Sequence, residues 1–314
     1  MRGERIFITG GAGFLGTNII ERLHVDNQIT VYSRDESKHY YLKKQYPDVE
    51  FIIGDIRNRE HLIRKSKNHT IGIFAASLKQ IEACNDNYEE ASKIIIDGAI
   101  NSRIAAETNE FKSACFISSD KSRAATTIYG AMKYVAGESF IAGKSECNLT
   151  TAIYGNVMNS TGSIIPLIWN YIESGKTLQL YGADMTRFLM DVQDAIDLIL
   201  KSLDHRGGCN IIPVLTSFKI LDLFDIYKKM YGLKYEVTSP RTGEKIHEIM
   251  ASSEEIRRMN FDHINGIYTL NPKDECIEPD MFKDFTNNEY SSRDRCHTIS
   301  QLTDFLESKN YYKP

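Results

Sequence analysis

The most restrictive feature of the sequence is a glycine-rich turn between the first apolar run and the first helical segment. The run RIFIT is followed by GGAGFLG, which contains Gly10, Gly13 and Gly16. Glycine allows a tight turn and a close backbone approach, and the N–H groups of the following helix can bind a pyrophosphate. Three glycines alone could form an ordinary turn, but the strand before them and the helix after them favour a dinucleotide site. Phe14 and Leu15, which begin that helix, belong to the predicted site.

Short β-rich runs alternate with amphipathic helical segments through the first half of the chain. Continuous apolar strands separated by helices predict a doubly wound α/β fold, in which a parallel sheet is covered on both faces. The predicted strands are residues 5–10, 28–33, 50–55, 71–76, 113–118 and 149–155. We expect a Rossmann-like, NADP-binding domain in residues 1–157, with returning segments near 183–213. Residues 158–314 are expected to form mainly a smaller C-terminal substrate lobe and tail, with a ligand cleft beyond the carboxyl ends of the strands.

The composition narrows the classes of partner. The chain has 314 residues, 42% hydrophobic and 25% charged, and its net charge of −4 argues against nucleic-acid binding. No apolar run reaches the ~20 residues that cross a bilayer, and the N-terminus lacks the apolar segment of a signal peptide, so no membrane partner and a cytoplasmic location are expected. The six cysteines are scattered without paired spacing, which predicts reduced thiols and no metal site.

The end of the second strand predicts which dinucleotide binds. An acidic residue there usually holds the ribose of NAD, whereas an arginine accommodates the extra phosphate of NADP. Here Ser33 and Arg34 precede Asp35. A hydroxyl beside a guanidinium suits a phosphate dianion, so NADP is favoured, and NAD held by Asp35 is the alternative. The turns after the third and fourth strands are expected beside the adenine and the cofactor backbone, and they contain Asp55, Ile56, Ala75, Ala76 and Ser77.

A second polar cluster, SSDKSRAATTIYGAMK (118–133), follows the fifth strand. Tyr129 and Lys133 are four residues apart and share one face of a predicted helix. A phenol with a pKa of ~10 is a poor base at neutral pH, but a nearby ammonium and an oxidised nicotinamide would lower that pKa. In a dinucleotide-binding fold the pair predicts a dehydrogenase-type centre in which Tyr129 accepts a hydroxyl proton. Elsewhere it would be an ordinary surface pair.

Together these motifs resemble the extended short-chain dehydrogenase/reductases. Simple epimerases of that superfamily usually carry Ser or Thr with small neighbours before the tyrosine, and retaining dehydratases carry an Asp-Glu pair. The sequence Ser119-Asp120-Lys121, followed by Tyr129 and Lys133, is instead similar to the inverting UDP-N-acetylglucosamine 4,6-dehydratases of flagellin glycan and capsular polysaccharide synthesis. The similarity covers nearly the whole chain, including residues 75–106, 154–168, 185–188, 241–250 and 287–306.

The resemblance implies a role for each residue of the cluster. Tyr129 would be the base at the C4 hydroxyl, Lys121 the base at C5, and Asp120 the acid toward the C6 oxygen. Lys133 would orient the ribose and lower the pKa of the tyrosine, and Ser119 would hold the C4 oxygen. Oxidation at C4 makes the C5 proton acidic, water leaves across C5 and C6, and the hydride returns to C6, so NADP would be recycled within each turnover.

The resemblance also implies the contacts to the nucleotide half of the substrate. The residues at matching positions are Lys79, Asn156, Ser163, Arg187, Arg241 and Glu244. Arginine forks suit a pyrophosphate and Glu244 suits ribose hydroxyls, although Arg187, Arg241 and Glu244 could equally form salt bridges between the lobes. The chain lacks two arginines that are usual in the family, because Ile153 stands at one position and the turn 160–163 has none. The phosphate contacts therefore stay open.

The charge state of Asp120 and Lys121 is the main chemical question. In water both groups would be ionised, which is the wrong state for an acid and a base. A dry site near Lys133 and the nicotinamide disfavours another ammonium and so allows a neutral Lys121, and burial raises the pKa of the carboxyl group. The two groups are expected to titrate as a coupled pair, and the sequence leaves the sharing of the proton between them open. The alternatives are a loop ion pair in a UDP-sugar 4-epimerase, a retaining 4,6-dehydratase, or a non-catalytic nucleotide sensor. The resemblance also implies a homo-oligomer, either a hexamer or a dimer.

Overall fold

The structure is a computed structural model that describes residues 1–273, 276–283 and 285–312. The strands in these residues, numbered β1 to β15 in chain order, are Arg5–Thr9, Gln28–Ser33, Glu50–Ile53, Ile71–Phe74, Ser113–Ile117, Asn148–Ala152, Thr177–Leu180, Thr186–Phe188, Cys209–Pro213, Ser217–Lys219, Lys234–Val237, Ile249–Ala251, Met259–Asp262, Ile267–Leu270 and Tyr290–Ser291.

The α-helices of the same residues are numbered α1 to α12. They are Phe14–Leu23, Glu36–Gln45, Arg59–Lys65, Ile81–Asp86, Tyr88–Ser92, Gly98–Thr108, Ile128–Ile141, Ile164–Ser174, Val192–Asp204, Ile220–Tyr231, Ser253–Ile256 and Ile299–Ser308. A π-helical turn, Lys93–Asp97, joins α5 to α6. Short 3-10 turns lie at Asp120–Ser122, Pro279–Phe282 and Thr286–Asn288.

A nine-stranded sheet organises the chain in the order β13-β14-β9-β6-β5-β4-β1-β2-β3. Every neighbouring pair from β9 to β3 is parallel, whereas β14 runs antiparallel to β9 and β13 antiparallel to β14. The predicted doubly wound α/β fold is confirmed, and all six predicted strands are present. Most of them end one to three residues earlier than predicted, because the residues that follow leave the sheet at its carboxyl edge.

Apolar side chains are buried on both faces of the sheet. Along β1, Ile6 and Ile8 belong to a cluster that includes residues of α1 and α9, whereas Phe7 belongs to a second cluster with α6 and α7. Successive side chains of a strand point to opposite faces, so β1 contributes to both clusters. Burial on both faces explains why the strands are continuous apolar runs instead of alternating ones.

A third apolar cluster lies in the second half of the chain, where α8, α10 and α12 contribute Ile168, Leu223 and Leu302. Three small two-stranded sheets accompany it, β7 with β11, β8 with β10, and β12 with β15. Within the returning segment 183–213, β9 pairs with β6 of the large sheet. The hairpin β13–β14 also joins the large sheet, although the sequence analysis placed that stretch in the region of the substrate lobe.

Three further observations bear on partners. No helix of residues 1–273, 276–283 and 285–312 is long and apolar enough to cross a membrane. None of the six cysteines forms a disulfide bond within the described residues. In the same ranges, no group of three or more His, Cys, Asp and Glu side chains is arranged to hold a metal ion.

Candidate active site

A cleft of about 1000 Å³ opens at the carboxyl edge of the parallel strands. Most residues predicted to bind cofactor or substrate line it. They are Gly10, Gly13, Phe14, Leu15, Gly16, Ser33, Arg34, Asp55, Ile56, Ala75, Ala76, Ser77, Lys79, Ser119, Lys121, Tyr129, Lys133, Asn156 and Ser163. The structure therefore brings together residues from seven separate chain segments, as expected where loops follow adjacent parallel strands.

The glycine-rich turn has the shape of a dinucleotide cradle. Gly10 has a positive φ of 71°, and a Cβ atom there would lie 2.8 Å from the backbone of Ala76. Only glycine tolerates both that conformation and that approach. Gly13 precedes α1 and provides no side-chain cap, so N–H groups of the first helical turn stay available beside the cleft. These residues fit the pyrophosphate of a dinucleotide.

The three polar residues at the end of β2 differ in their hydrogen bonds. Asp35 caps α2, where its carboxylate accepts a bond from the Lys38 backbone N–H at 3.0 Å and pairs with the Lys38 ammonium at 3.2 Å. The Ser33 hydroxyl lies 2.6 Å from Nε2 of His39. Arg34 is exposed at the cleft and makes no hydrogen bond within the described residues. The guanidinium is thus the available charge at this position, and Asp35 is already engaged.

Asp55 and Lys79 both line the cleft and both have protein partners. The Asp55 carboxylate binds the Arg57 guanidinium in a bidentate pair, with Arg57 Nη2 2.6 Å from Oδ2, and that hydrogen bond lowers the pKa of Asp55. Lys79 donates to the Thr161 carbonyl oxygen, which places an ammonium beside the turn 160–163. This turn lacks the arginine usual in the family, so Lys79 supplies a cation there. Ile153, at the other missing arginine, is fully buried among apolar side chains.

Helix α7 carries Tyr129 and Lys133 and begins at a Thr127 cap, whose hydroxyl accepts from the Gly130 N–H at 3.1 Å. A Cβ atom at Gly130 would lie 2.2 Å from the Lys121 carbonyl oxygen, so glycine allows α7 to pack against the turn at 120–122. Both reactive side chains are buried, and Nζ of Lys133 donates to the Ile117 carbonyl oxygen at 2.7 Å.

Burial dominates the electrostatics of this helix. It raises the pKa of Tyr129 to about 12 and lowers the pKa of Lys133 to about 7. The cation that opposes burial and lowers the pKa of Tyr129 is Lys121. The prediction that Lys133 lowers the pKa of the tyrosine finds no support here, because Lys133 is not among the groups that shift this pKa and is only partly protonated at neutral pH.

The 3-10 turn at 120–122 holds the predicted acid and base. Asp120 is fully buried, and its Oδ1 accepts from the Ser119 hydroxyl at 2.8 Å. Nζ of Lys121 lies 3.4 Å from the same oxygen, 3.0 Å from Oδ1 of Asn156 and 3.2 Å from Oε1 of Glu248. Asp120 does not line the cleft itself, and its Oδ2 has no hydrogen-bond partner in the described residues.

The protonation states of the pair follow from these contacts. Burial raises the pKa of Asp120, as predicted, and so favours the protonated carboxyl group that an acid requires. Burial alone would lower the pKa of Lys121, but Asp120, when it is ionised, and the Glu248 carboxylate raise it above its ordinary value. Of the two protonation states that the sequence left open, these contacts therefore favour the ammonium form of Lys121. The additional negative charge is that of Glu248, which the sequence did not link to Lys121.

A family model described as polysaccharide biosynthesis protein matches residues 6–269. The chain belongs to this family. One relative, from Campylobacter jejuni, is named UDP-N-acetylglucosamine 4,6-dehydratase (inverting) and is 31% identical over 297 residues, which cover 91% of this chain and 87% of the relative. A Rickettsia akari relative named UDP-glucose 4-epimerase is 31% identical over 283 residues, covering 85% and 82%.

Solved structures agree with the fold of this polysaccharide biosynthesis family member. The structure of Pen from Bacillus thuringiensis has a TM-score of 0.87 and 25% identity, and the match covers 99% of this chain and 98% of Pen. A dTDP-glucose 4,6-dehydratase from Streptomyces venezuelae, solved with NAD, has a TM-score of 0.68 and 17% identity, covering 77% and 86%. The second similarity concerns the fold alone.

Three residues of this chain that were predicted to bind the nucleotide do not line the cleft. Arg187 is buried and pairs with Glu244 at 3.1 Å, and Arg241 pairs with the other Glu244 oxygen at 2.9 Å. Arg241 also lies over the Tyr181 ring, 4.4 Å from its centre, and reaches Glu82 at 3.2 Å. These are the salt bridges that the sequence analysis gave as the alternative. Their contact with a nucleotide stays a prediction.

Glu248 is the residue of the site that sequence reasoning missed. It lies in the segment 241–250, which was noted for its family resemblance, but no role was assigned to it. Neither hydrophobic periodicity nor spacing links Glu248 to Lys121, since 127 positions separate them in the chain. The sequence did contain a signal that could have identified Glu248. The segment 241–250 has no function in a bare dinucleotide-binding fold, and it contains this additional carboxylate close to the predicted Arg241 and Glu244.

Proposed function

We propose that this protein catalyses the 4,6-dehydration of UDP-N-acetylglucosamine with inversion at C5. The observation that carries the proposal is the position of Lys121 in the same cleft as Tyr129, with Asp120 directly behind it. Inversion of configuration at C4 needs a base that removes the hydroxyl proton and a hydride acceptor. Loss of water also needs an acid that protonates the leaving oxygen and a base that removes a proton from C5. The Campylobacter jejuni relative with this reaction in its name supports the same substrate.

The chain's own residues would divide the proton transfers between them. A dinucleotide held at the glycine-rich turn would supply the hydride acceptor for C4 and the hydride donor for C6, and the return of hydride to C6 requires that C5 regain a proton. Tyr129 would accept the proton of the C4 hydroxyl at its phenolic oxygen, and Ser119 would hold that sugar oxygen. Lys121 Nζ would take the C5 proton, and Asp120 would give its proton to the C6 oxygen as the C6–O bond breaks and water leaves. Lys133 would orient the cofactor ribose.

NADP is the cofactor that we propose. Arg34 offers an exposed guanidinium with no hydrogen-bond partner in the described residues, while Asp35 is used as the cap of α2. A phosphate on the ribose would gain a charge-assisted hydrogen bond from Arg34, whereas the hydroxyl of NAD would gain much less. Tyr129 and Lys133 would face the nicotinamide half of the same molecule.

For the UDP half we propose contacts from Lys79, Asn156 and Ser163 inside the cleft, supplemented by Arg187, Arg241 and Glu244 behind it. Lys79 supports a phosphate position near the turn 160–163, because its ammonium already lies against that backbone. We further propose that the protein acts in the cytoplasm as a homo-oligomer, and that its keto sugar product enters polysaccharide or glycoprotein glycan synthesis.

UDP-sugar 4-epimerisation is the second candidate reaction. The relative named UDP-glucose 4-epimerase favours it, because that protein is also 31% identical to this chain, although over a shorter stretch than the dehydratase relative. Incubation of the protein with UDP-N-acetylglucosamine, followed by mass spectrometry and NMR of the sugar, separates the candidates. We expect a product lighter by one water molecule. An unchanged mass with an altered configuration at C4 would support the epimerase, and recovery of unchanged substrate would contradict both.

A further inference from the structure

Glu248 reaches the Asp120–Lys121 turn from the opposite part of the chain. It directly precedes β12, and its side chain is 3% exposed. The backbone is held from two sides, since its N–H donates to the Ser292 hydroxyl at 2.8 Å and its carbonyl oxygen accepts from the Ser292 N–H at 2.8 Å. These two bonds fix the backbone position from which the carboxylate reaches Lys121.

Three cations surround the Glu248 carboxylate. Its Oε1 lies 3.2 Å from Nζ of Lys121 and 3.6 Å from Nε of Arg187, and its Oε2 lies 4.0 Å from Nζ of Lys245. Burial alone raises the pKa of Glu248, but these cations together lower it, so the group is a carboxylate. An ionised carboxylate in a buried position is stable only when cations of this kind accompany it.

The groups that face Lys121 come from several elements. They are Asp120 and Asn156 at the carboxyl edge of the sheet, Tyr129 on α7, Arg187 on β8, and Lys245 and Glu248 before β12. Of the two carboxyl groups, Asp120 must be protonated to serve as an acid. In that state the Glu248 carboxylate is the negative charge in contact with the Lys121 ammonium.

We propose that Glu248 is a positioning residue that holds Nζ of Lys121 beside Asn156 and keeps it protonated in the free protein. The inference rests on the proposed function only where it treats Lys121 as the C5 base. A base must lose its proton before it can take another, so the rate of water loss should rise with pH as Lys121 becomes neutral. Removing the Glu248 charge leaves Lys121 beside Arg187 and Lys245, and repulsion between cations then favours the neutral amine.

The direct test measures the protonation of Lys121 without any catalysis. Trace acetic anhydride acetylates neutral amines only, and peptide mass spectrometry gives the rate for each lysine. Lys176, which is exposed, serves as the internal reference in every sample. At pH 8 we expect Glu248→Gln to raise the acetylation rate of Lys121 relative to Lys176 about tenfold or more, equivalent to a shift of at least one pKa unit.

Two further variants separate charge from structure. Glu248→Asp keeps the charge and should leave the relative rate of Lys121 much closer to wild type than Glu248→Gln does. Glu244→Gln removes a neighbouring carboxylate that pairs with Arg187 but does not contact Lys121, and it should change that rate less than about twofold. If the Gln variant does not fold, as judged by its melting curve, the Asp variant and the wild type carry the test. In the wild type, Lys121 should be acetylated more than tenfold more slowly than Lys176 at pH 8.

The pH profile of water loss from UDP-N-acetylglucosamine provides the second measurement. We expect its rising limb to lie at least one pH unit lower in Glu248→Gln than in wild type. Equal acetylation of Lys121 in the two proteins would overturn the inference, whatever their activity. Absence of water loss in the wild type, with the acetylation difference intact, would overturn the proposed function and leave the inference standing.

Discussion

At the scale of single residues, the site holds two lysines whose pKa values are shifted in opposite directions. Both are largely withdrawn from water, but Lys121 has two carboxyl groups within 3.4 Å, whereas Lys133 has a backbone carbonyl oxygen and lies 4.8 Å from the centre of the Phe116 ring. A carboxylate compensates for the desolvation of an ammonium, and a neutral carbonyl group does so only in part. Residue type alone would not have separated these two amines.

The low pKa of Lys133 predicts that this buried amine lowers the free energy of unfolding at neutral pH. The unfolded chain binds the proton below pH ~10.4 and the folded chain only below about pH 7, so folding becomes less favourable as the pH falls between these values. Lys133→Met should therefore raise the free energy of unfolding by about 2–4 kcal/mol at pH 7, after the lost hydrogen bond is allowed for. The gain should shrink toward zero at pH 10, in denaturant titrations at both pH values.

Lys176→Met is the matched control for this prediction, because Lys176 is exposed. It should change the stability by less than about 0.5 kcal/mol at either pH. A Lys133→Met protein that is less stable than wild type at pH 7 would show that the amine is charged and compensated in the folded chain.

Lys121 and Tyr129 should be separable by the step at which their variants stop. Lys121→Ala retains the C4 hydroxyl base, so it should still reduce the bound cofactor, measured by absorbance of the reduced nicotinamide, without releasing dehydrated sugar. Tyr129→Phe should reduce neither. General acid–base groups typically contribute ~10²–10⁴-fold in rate, which makes the two losses measurable. Near wild-type water loss in Lys121→Ala would instead mean that Asp120 and Lys121 form a structural ion pair.

At the scale of elements, the end of β2 decides the cofactor through the helix that follows it. Asp35 is used as the cap of α2, which leaves Arg34 to meet a phosphate. Arg34→Ala should weaken NADP binding about 10–100-fold, the loss of one charge-assisted hydrogen bond, and change NAD binding only slightly. Isothermal titration with both dinucleotides makes NAD the internal control. Equal losses would mean that the guanidinium does not contact the phosphate.

The sequence predicted those elements whose patterns are local. Strands buried on both faces are mostly apolar, so β1, β2, β4, β5 and β6 could be located from this pattern, whereas β3, at the edge of the sheet, is only partly buried. The glycine turn indicated the start of α1. The hairpin β13–β14 could not be assigned to the large sheet, because its residues, MNFD and IYTL, would suit any short strand pair. The contact of Glu248 with Lys121 was equally hidden, since it depends on how two distant segments pack. The family resemblance drew attention to the segment 241–250, but the contact between Glu248 and Lys121 became evident only in the structure.

At the scale of the whole molecule, α7 carries exposed apolar side chains in addition to Tyr129 and Lys133. Ile128 and Val135 are 45% and 44% exposed, and Met132 between them is partly buried, at the i, i+4, i+7 spacing of one helical stripe. We expect a homo-oligomer that buries this stripe, with a mass by light scattering that is a multiple of 35.8 kDa. Val135→Lys should shift the distribution toward the monomer.

Val25→Lys is the control for that experiment, because Val25 is 82% exposed and follows α1, apart from α7. It should leave the mass unchanged. If the wild type has the mass of a single chain at every concentration, the predicted oligomer is contradicted. If the wild type is an oligomer and Val135→Lys has the same mass, the interface lies on another surface.

The order of strands in the large sheet also has a consequence for the chain while it is being synthesised. Strands β1 to β6 can pair with one another as soon as residue 152 has left the ribosome, but the outer neighbour of β6 is β9, which is made only after β7, β8 and α9. During that interval β6 presents unpaired N–H and C=O groups, the kind of edge that recruits strands from other chains. A nascent chain interrupted after residue 157 would already contain Tyr129 and the glycine turn, yet its sheet would end on that open edge. Pairing of β9 with β6 thus closes an edge that the first half of the chain leaves open.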